Sequence, residues 1–492
     1  MGNSKTVDPK KTVYIIDIIA VVLMVGFGRV VPPFGPVTEV GVYIIGIFLG
    51  VILLTVATNQ MFFASVAAMA AMIICGYTTA NDAIVSWLGS STVATFIFVS
   101  AFCIGLKETG AMAIIAKKLL MLKALRGRPK LLIFIFFVTT YIVSMFLKFA
   151  PALVLMFGLF ESIRDICGYE KKSPFCKFML LGIFMGCGGN YALPFLGIQM
   201  TTISMADSVM SEYGIVFSNL TYFITNVIVF IVWLLVYTLL MGRVFKCDLK
   251  PLRELDVTQV ASLRDIRDHF DKRQIILLCA FIFCVVDLIL TSVFPKAPGI
   301  NVLTSIGATW IWLLVIAILS IFKVADQPVI VPQKVLESTM WNVVCMIGAF
   351  SMLGAAMSSE DLGIRTWIVN LISPLFGQMS LPILIVLVVV VVTFATNFVN
   401  GLPLTLACNA AVLPFVCQMQ VGSGVSASVM ATLFGICANM AYLTAAGSVY
   451  SSLIISREEI AAKWLWSKGL TVLVGFMAVV AVVGIILSYV LP

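Results

Sequence analysis

The sequence predicts an all-α polytopic membrane protein of about 11 transmembrane helices plus two re-entrant hairpins in two inverted repeats. Three observations predict it. Of the 492 residues, 61% are hydrophobic and 11% are charged, against roughly 25% charged in ordinary soluble domains. Apolar runs of about 18 residues, each long enough to cross a bilayer, recur along the whole chain. Three short sequence markers also return at an offset near 250 residues. So apolar a chain excludes a soluble enzyme, a disordered protein and a nucleic-acid binder.

Taken in order, the first four spans fall at 13–31, 40–57, 60–77 and 92–110. A basic amphipathic arm follows, Lys117 to Lys130, expected to lie on the inner surface against anionic lipid. Two apolar pieces at 131–146 and 150–163 are short for separate spans and are read as one re-entrant hairpin. The fifth span, 176–206, is broken by Cys187-Gly188-Gly189-Asn190 and Pro194, and the sixth covers 216–242. A polar linker, 243–273, precedes spans at 274–294, 301–322 and 341–357. A second short pair, 381–396 and 402–416, makes the second hairpin. The tenth span, 427–453, is broken from Asn439 to Gly447, and the last covers 466–490. The expected division is 1–130, 131–242, a cytoplasmic linker of 243–273, 274–380 and 381–492.

Lysine and arginine placement sets the expected orientation. With the N-terminus cytoplasmic and each hairpin returning to its own side, the inner segments hold 27 of the 31 basic residues. The outer segments hold Arg29, Lys296 and Arg365, and Lys148 sits at the first hairpin tip. This reads as an integral protein of a bacterial inner membrane with its C-terminus outside. The twelve cysteines form no metal or redox framework, and the lone His269 lies in the linker. No cofactor is expected beyond one sodium ion.

The repeat joins Gly105-Leu-Lys-Glu-Thr-Gly110 to the segment Gly354 to Gly363, Lys148-Phe-Ala-Pro151 to Asn400-Gly-Leu-Pro403, and Gly189-Asn190 to Ala438-Asn439. Five crossings in each copy place the copies in opposite orientations, which brings a binding site to their interface near the midplane. After each tip a helix begins with a proline in its first turn, Pro151 or Pro403, where the missing N–H costs no intrahelical bond. The remaining first-turn N–H groups and the positive helix end form an anion site. Asn400 is also a good N-cap residue. The expected substrate residues are therefore Lys148, Phe149, Pro151, Gly189, Asn190, Asn400, Gly401, Pro403 and Thr444.

These residues carry a family resemblance. Over nearly its whole length the chain resembles the divalent anion/sodium symporter family, within the wider ion transporter superfamily. The family's tip motif is Ser-Asn-Thr; here the second tip reads Val399-Asn400-Gly401 and the first Leu147-Lys148-Phe149. The family's Thr-Pro-Pro-Asn stretches stand as Leu193-Pro194-Phe195-Leu196 and Tyr442 to Gly447. The stretch Asn397 to Pro403 is similar to the wider superfamily as well. The resemblance implies elevator-type alternating access, in which transport halves of 131–242 and 381–492 move against a scaffold of 1–130 and 274–380. It implies a homodimer in the lipid bilayer, and di- or tricarboxylates as small anionic substrates. It also implies that the first tip's asparagine, here Lys148, helps hold sodium, and makes Asn397, Asn400 and Asn439 the candidate ligands of a single sodium site.

Lysine offers only donors. An ammonium about 4 Å from sodium would repel it by roughly 4 kcal/mol at an effective dielectric near 20. Lys148 is thus read as a built-in counter-ion for the substrate, giving exchange or sodium-reduced transport, or, if it titrates, coupling to protons. Among the other charges, Asp17 is placed near the inner surface and Glu108 is expected to cap its helix or pair with Lys107. Asp287, without an evident partner, is read as structural or proton-handling. The alternatives are a carrier of another anion, a cation/proton antiporter, and an ion channel. No catalytic pairing lies in the spans, so an enzyme is not expected.

Overall fold

The computed structural model describes residues 9–491 apart from 58–59, 126, 196–198, 241–243, 254–265, 294–296, 332, 335–336, 338, 377–378, 424, 445–446 and 456. The middle of the polar linker, Lys5, Leu196 and Lys296 lie outside the described residues. Apart from a two-residue ribbon pairing Lys323–Val324 with Gln327–Pro328, the described chain is helix and connecting loop.

Helices α1 (Pro9–Val30), α2 (Glu39–Ala57) and α3 (Met61–Ile74) match the first three spans. The outward face of α1, with Ile15, Ile18 and Val22 exposed, is apolar, as a lipid-facing span requires. A short helix, α4 (Ala80–Leu88), was not expected. Thr79 caps it by accepting the Asp82 N–H, a Thr-x-x-Asp signature present in the sequence. Helix α5 (Ser91–Glu108) is the fourth span.

The basic arm differs from expectation. Helix α6 (Ala111–Leu120) starts after Gly110 and ends before most of the basic residues. Lys117 is buried rather than lying on lipid: its Nζ donates to the Ile266 carbonyl at 2.6 Å and pairs with Asp268 at 2.7 Å. That ammonium holds the Asp268 carboxyl below the usual carboxylate range. Glu108 pairs with Lys334 at 3.3 Å and Arg273 at 3.9 Å, and the side chain of Lys107, its expected partner, lies outside the described residues.

The first hairpin is longer than its apolar core suggested. Helices α7 (Pro129–Leu147) and α8 (Phe149–Cys167) have 19 residues each, about 28 Å at 1.5 Å per residue. Their ends continue through polar residues such as Arg164 and Asp165, which the apolar runs exclude. One residue makes the turn: Lys148, at φ 67° and ψ 167°. The fifth span is broken where expected, into α9 (Pro174–Gly186), a 3-10 turn Cys187–Tyr191, and α10 (Gln199–Ser211). Helices α11 (Asn219–Leu240) and α12 (Lys272–Val293) follow.

The expected continuous span at 301–322 is instead an elbow. Helices α13 (Ile300–Ile306) and α14 (Ala308–Ile321) meet at 90° across Gly307, whose φ of +84° no continuing helix adopts. Then come α15 (Trp341–Ser358) and α16 (Ile364–Phe376). The second hairpin is α17 (Leu381–Ala395) with α18 (Gly401–Ala411) and α19 (Leu413–Ser423). The last two bend by 45° because Pro414 has no N–H for the Ala410 carbonyl. Helices α20 (Ala427–Ala438), α21 (Val449–Ile455) and α22 (Leu470–Val490) complete the chain.

The repeat is visible in matching details. Gly110 (φ 70°) and Gly363 (φ 68°) open α6 and α16. Ser173 and Ser426 cap α9 and α20, accepting from the N–H groups of Cys176 and Val429. Ser144 Oγ, four residues before the first tip, donates to Gly186 O at 3.4 Å. Thr396 Oγ1, four before the second tip, donates to Ala438 O. Donor and acceptor alike stand 252 residues apart in the two copies. Among the described residues, the long-range ion pairs join segments assigned to one side: Lys117 with Asp268, Arg164 with Glu459, Arg457 with Glu161, Arg273 and Lys334 with Glu108.

Each hairpin lies against the neighbouring helix break at a glycine. A Cβ on Gly189 would lie 2.0 Å from Tyr141 O, and one on Gly401 would lie 2.0 Å from Ala438 O. Those are backbone atoms, so nothing small can yield. Gly158 and Gly435 are surrounded by open space within 4 Å. Gly189→Ala and Gly401→Ala are expected to lower the thermal midpoint in detergent by an overpacking cost of at least about 1–3 kcal/mol. Gly158→Ala and Gly435→Ala should leave it level or raise it slightly. Equal effects at all four positions would contradict the close packing.

Candidate functional site

The site is assembled from two tips and two breaks. At the first tip Lys148 is exposed and carries no side-chain cap for α8, whose first turn contains Pro151. Its Nζ lies 3.2 Å from Met340 Sδ, at the start of α15, which also has no side-chain cap. Phe149, one residue on, is buried. Its ring stacks on Tyr450 at 4.3 Å and meets Phe184 edge-on at 5.1 Å. Tyr450 belongs to α21, the helix that resumes after the second break. The first tip therefore rests on the second half of the chain.

At the second tip Asn400 caps α18, its Oδ1 accepting the Leu402 N–H at 3.1 Å. Gly401 and Pro403 in the first turn are buried. The break opposite is bound to this tip strand by strand. Asn397 Oδ1 accepts the N–H groups of Tyr442 at 3.0 Å and Leu443 at 2.9 Å, while its Nδ2 donates to Thr393 O at 2.9 Å. Thr444 Oγ1 donates to Asn397 O. Gly447 packs so closely that a Cβ would lie 2.4 Å from Thr396 O.

In this geometry the Asn397 oxygen, one of the expected sodium ligands, is engaged by backbone donors. A carboxamide oxygen has two lone pairs, and two buried backbone donors occupy both. Asn397 is a clamp between tip and break. The Asn400 oxygen is likewise engaged by the helix it caps. Asn439 donates Nδ2 to Gly435 O at 2.7 Å, which leaves its oxygen as the acceptor of the set. The Asn397 oxygen could reach a cation only by unclamping the tip, whereas Asn400 Oδ1 accepts one described bond and keeps a second lone pair.

On the first side, Gly189 packs on α7, and Asn190 is half-buried in the 3-10 turn. Its carbonyl and that of Leu193 both accept from Gln199 Nε2 at 3.1 Å. Tyr222 OH donates to Tyr191 O at 2.7 Å. Asn409, two turns beyond the second tip, donates to Thr202 O at 2.9 Å and so ties α18 to α10. Sequence reasoning missed Gln199, Tyr450, Thr396 and Asn409. Thr396 had a findable signal, a hydroxyl four residues before each tip. Tyr450 had none, because its partner lies in the other repeat.

Two hairpins and two interrupted helices, related by an internal repeat and converging on buried irregular backbone, define a secondary transporter. The sequence places it further: residues 51–435 match the citrate transporter family model, and the chain belongs to that family. It is an integral membrane protein and a secondary transporter of small carboxylate-type anions in the broad sense, not an enzyme. The fold is similar to the crystal structure of the YdaH transporter of Alcanivorax borkumensis, at TM-score 0.53 and 12% identity, covering 96% of this chain and 97% of that one. No curated protein matches by sequence.

Asn397→Ala would strand two buried N–H groups, each worth about 1–3 kcal/mol when unsatisfied. Thermal unfolding in detergent should fall accordingly, while the sodium dependence of uptake stays that of the parent. A variant of unchanged stability and altered sodium dependence would restore Asn397 as a cation ligand.

Proposed function

We propose that the chain carries citrate-like di- or tricarboxylates by alternating access, with Lys148 taking the place of one sodium ion as the fixed positive charge beside the substrate. The observation that carries this reading is the seating of the lysine tip on the opposite half through Phe149 and Tyr450. In this reading an ammonium, the uncapped first turn of α8 and the clamped second tip share one region. Helix N-termini and an ammonium are all donors, so a guest with several carboxylate oxygens satisfies them together. Membership in the citrate transporter family supports the same class of substrate. Narrower placement among the divalent anion/sodium symporters rests on the tip resemblance alone.

The engagement of the Asn397 and Asn400 oxygens favours sodium-reduced transport or exchange. The hairpins and broken helices would move as one body, since clamps at both breaks and the Phe149–Tyr450 stack join them.

The test is citrate uptake into proteoliposomes with and without sodium, and with and without internal citrate. Lys148→Gln removes one charge-assisted contact, worth about 1.5–3 kcal/mol. The citrate concentration for half-maximal uptake should rise about ten- to a hundredfold. Unchanged uptake and unchanged ion dependence in Lys148→Gln would overturn the counter-ion role.

A further inference from the structure

Asp287 lies in the membrane-spanning helix α12, far from either charged end. Its side chain is only 2% exposed, and neither carboxyl oxygen has a hydrogen-bond partner among the described residues. Thr291 Oγ1 donates to its backbone carbonyl at 2.8 Å, not to its side chain. An ionised carboxylate buried without a donor is far more costly than the neutral acid, and such groups neutralise instead.

Among the described residues, no counter-ion offers itself from the elements packed on α12. Along α5, Glu108 is held by Arg273 and Lys334 at the inner end, and the side chains of Cys103 and Lys107 lie outside the described residues. Helix α11 presents Tyr222 and Tyr237, and α13 and α14 contain no titratable residue. On α12 itself the nearest such group is the buried thiol of Cys284, one turn away, with Cys279 farther on and Lys272 and Arg273 at its inner end. Lys148, at the neighbouring hairpin tip, directs its Nζ at Met340 Sδ.

The position connects this acid to the moving parts. Six residues before it, Phe281 meets Phe146 edge-on at 5.2 Å, and also Phe102 and Trp312. Phe146 is two residues from the lysine tip. Helix α12 is thus a wall on which the first hairpin rests, and Asp287 lies about 9 Å farther along it, at 1.5 Å per residue.

We infer that Asp287 is a proton-binding site, occupied while the first hairpin packs on α12 and emptied when that packing opens and water reaches the carboxyl. The reaction is a simple one: the carboxyl O–H bond breaks, the proton passes to water, and the carboxylate remains. The site is separate from the anion site, so it stands whatever the substrate proves to be.

Two measurements on the full-length protein test it. Difference infrared spectra of the reconstituted protein, taken across a pH step, should contain a protonated-carboxyl C=O band that Asp287→Asn removes. With a pH dye trapped in proteoliposomes, Asp287→Asn should lower the protons moved per citrate by one and flatten the pH dependence of net uptake. Citrate–citrate exchange should stay within about threefold of the parent. The infrared band needs no transport, so loss of citrate uptake in the parent would sink the functional reading and leave this one standing. An identical infrared band and proton count in Asp287→Asn would overturn the proton site. If Asp287→Asn fails to fold, the parent spectrum with Asp287 isotopically edited decides: an ionised carboxylate across the pH range would overturn it.

Discussion

Backbone that leaves the helix inside a bilayer must find partners within the protein, because lipid offers none. This constraint organises the molecule. Two hairpin tips and two helix breaks expose such backbone, and the fold sets them against one another. Asn397 serves two N–H groups of the second break; Thr444 returns a hydroxyl to Asn397 O. Ser144 and Thr396 reach across to the ends of α9 and α20 in the same way. Gln199 binds two carbonyls of the first break. The first turn of α8 has no side-chain cap, and an anion is a natural partner for a helix N-terminus.

Charge is placed with equal economy. The ends of the molecule hold paired ions, and Lys148 is the one basic residue at a tip. At one end the first hairpin is bolted to the segment following α21. Arg457 Nη1 lies 2.5 Å from Glu161 Oε1, and its guanidinium sits over the Phe157 ring at 4.3 Å. Arg164 and Glu459, both side chains 9% exposed, face each other at 3.8 Å. A buried pair of this kind adds little net stability, since desolvation offsets attraction, and its better-attested use is to fix registry. Here it holds the first hairpin in register with the second half, which the Phe149–Tyr450 stack requires.

Much of this was legible in the sequence because lipid imposes a coarse rule. Gly188, Gly189 and Pro194 marked one break, Asn439 to Gly447 the other, and the pairing of Lys148 with Asn400 marked the tips. Length was misread where helices run on through polar ends, as α8 does through Arg164. The elbow at Gly307 was hidden because an apolar run has no period that distinguishes one helix from two. The burial of Lys117 depends on the docked linker carbonyl of Ile266, and the clamp at Asn397 on a loop 45 residues away. Side-chain chemistry alone makes an asparagine near a tip look like a cation ligand; only the partners identify it as a fastener.

The central claim is that both tips face one guest. Single cysteines at Ala150 and at Val399, in a background whose accessible natural cysteines are replaced, can be alkylated in membranes with and without citrate. Citrate should slow the reaction at both positions over the same concentration range. Protection at one tip alone, or at neither while uptake persists, would contradict a shared site.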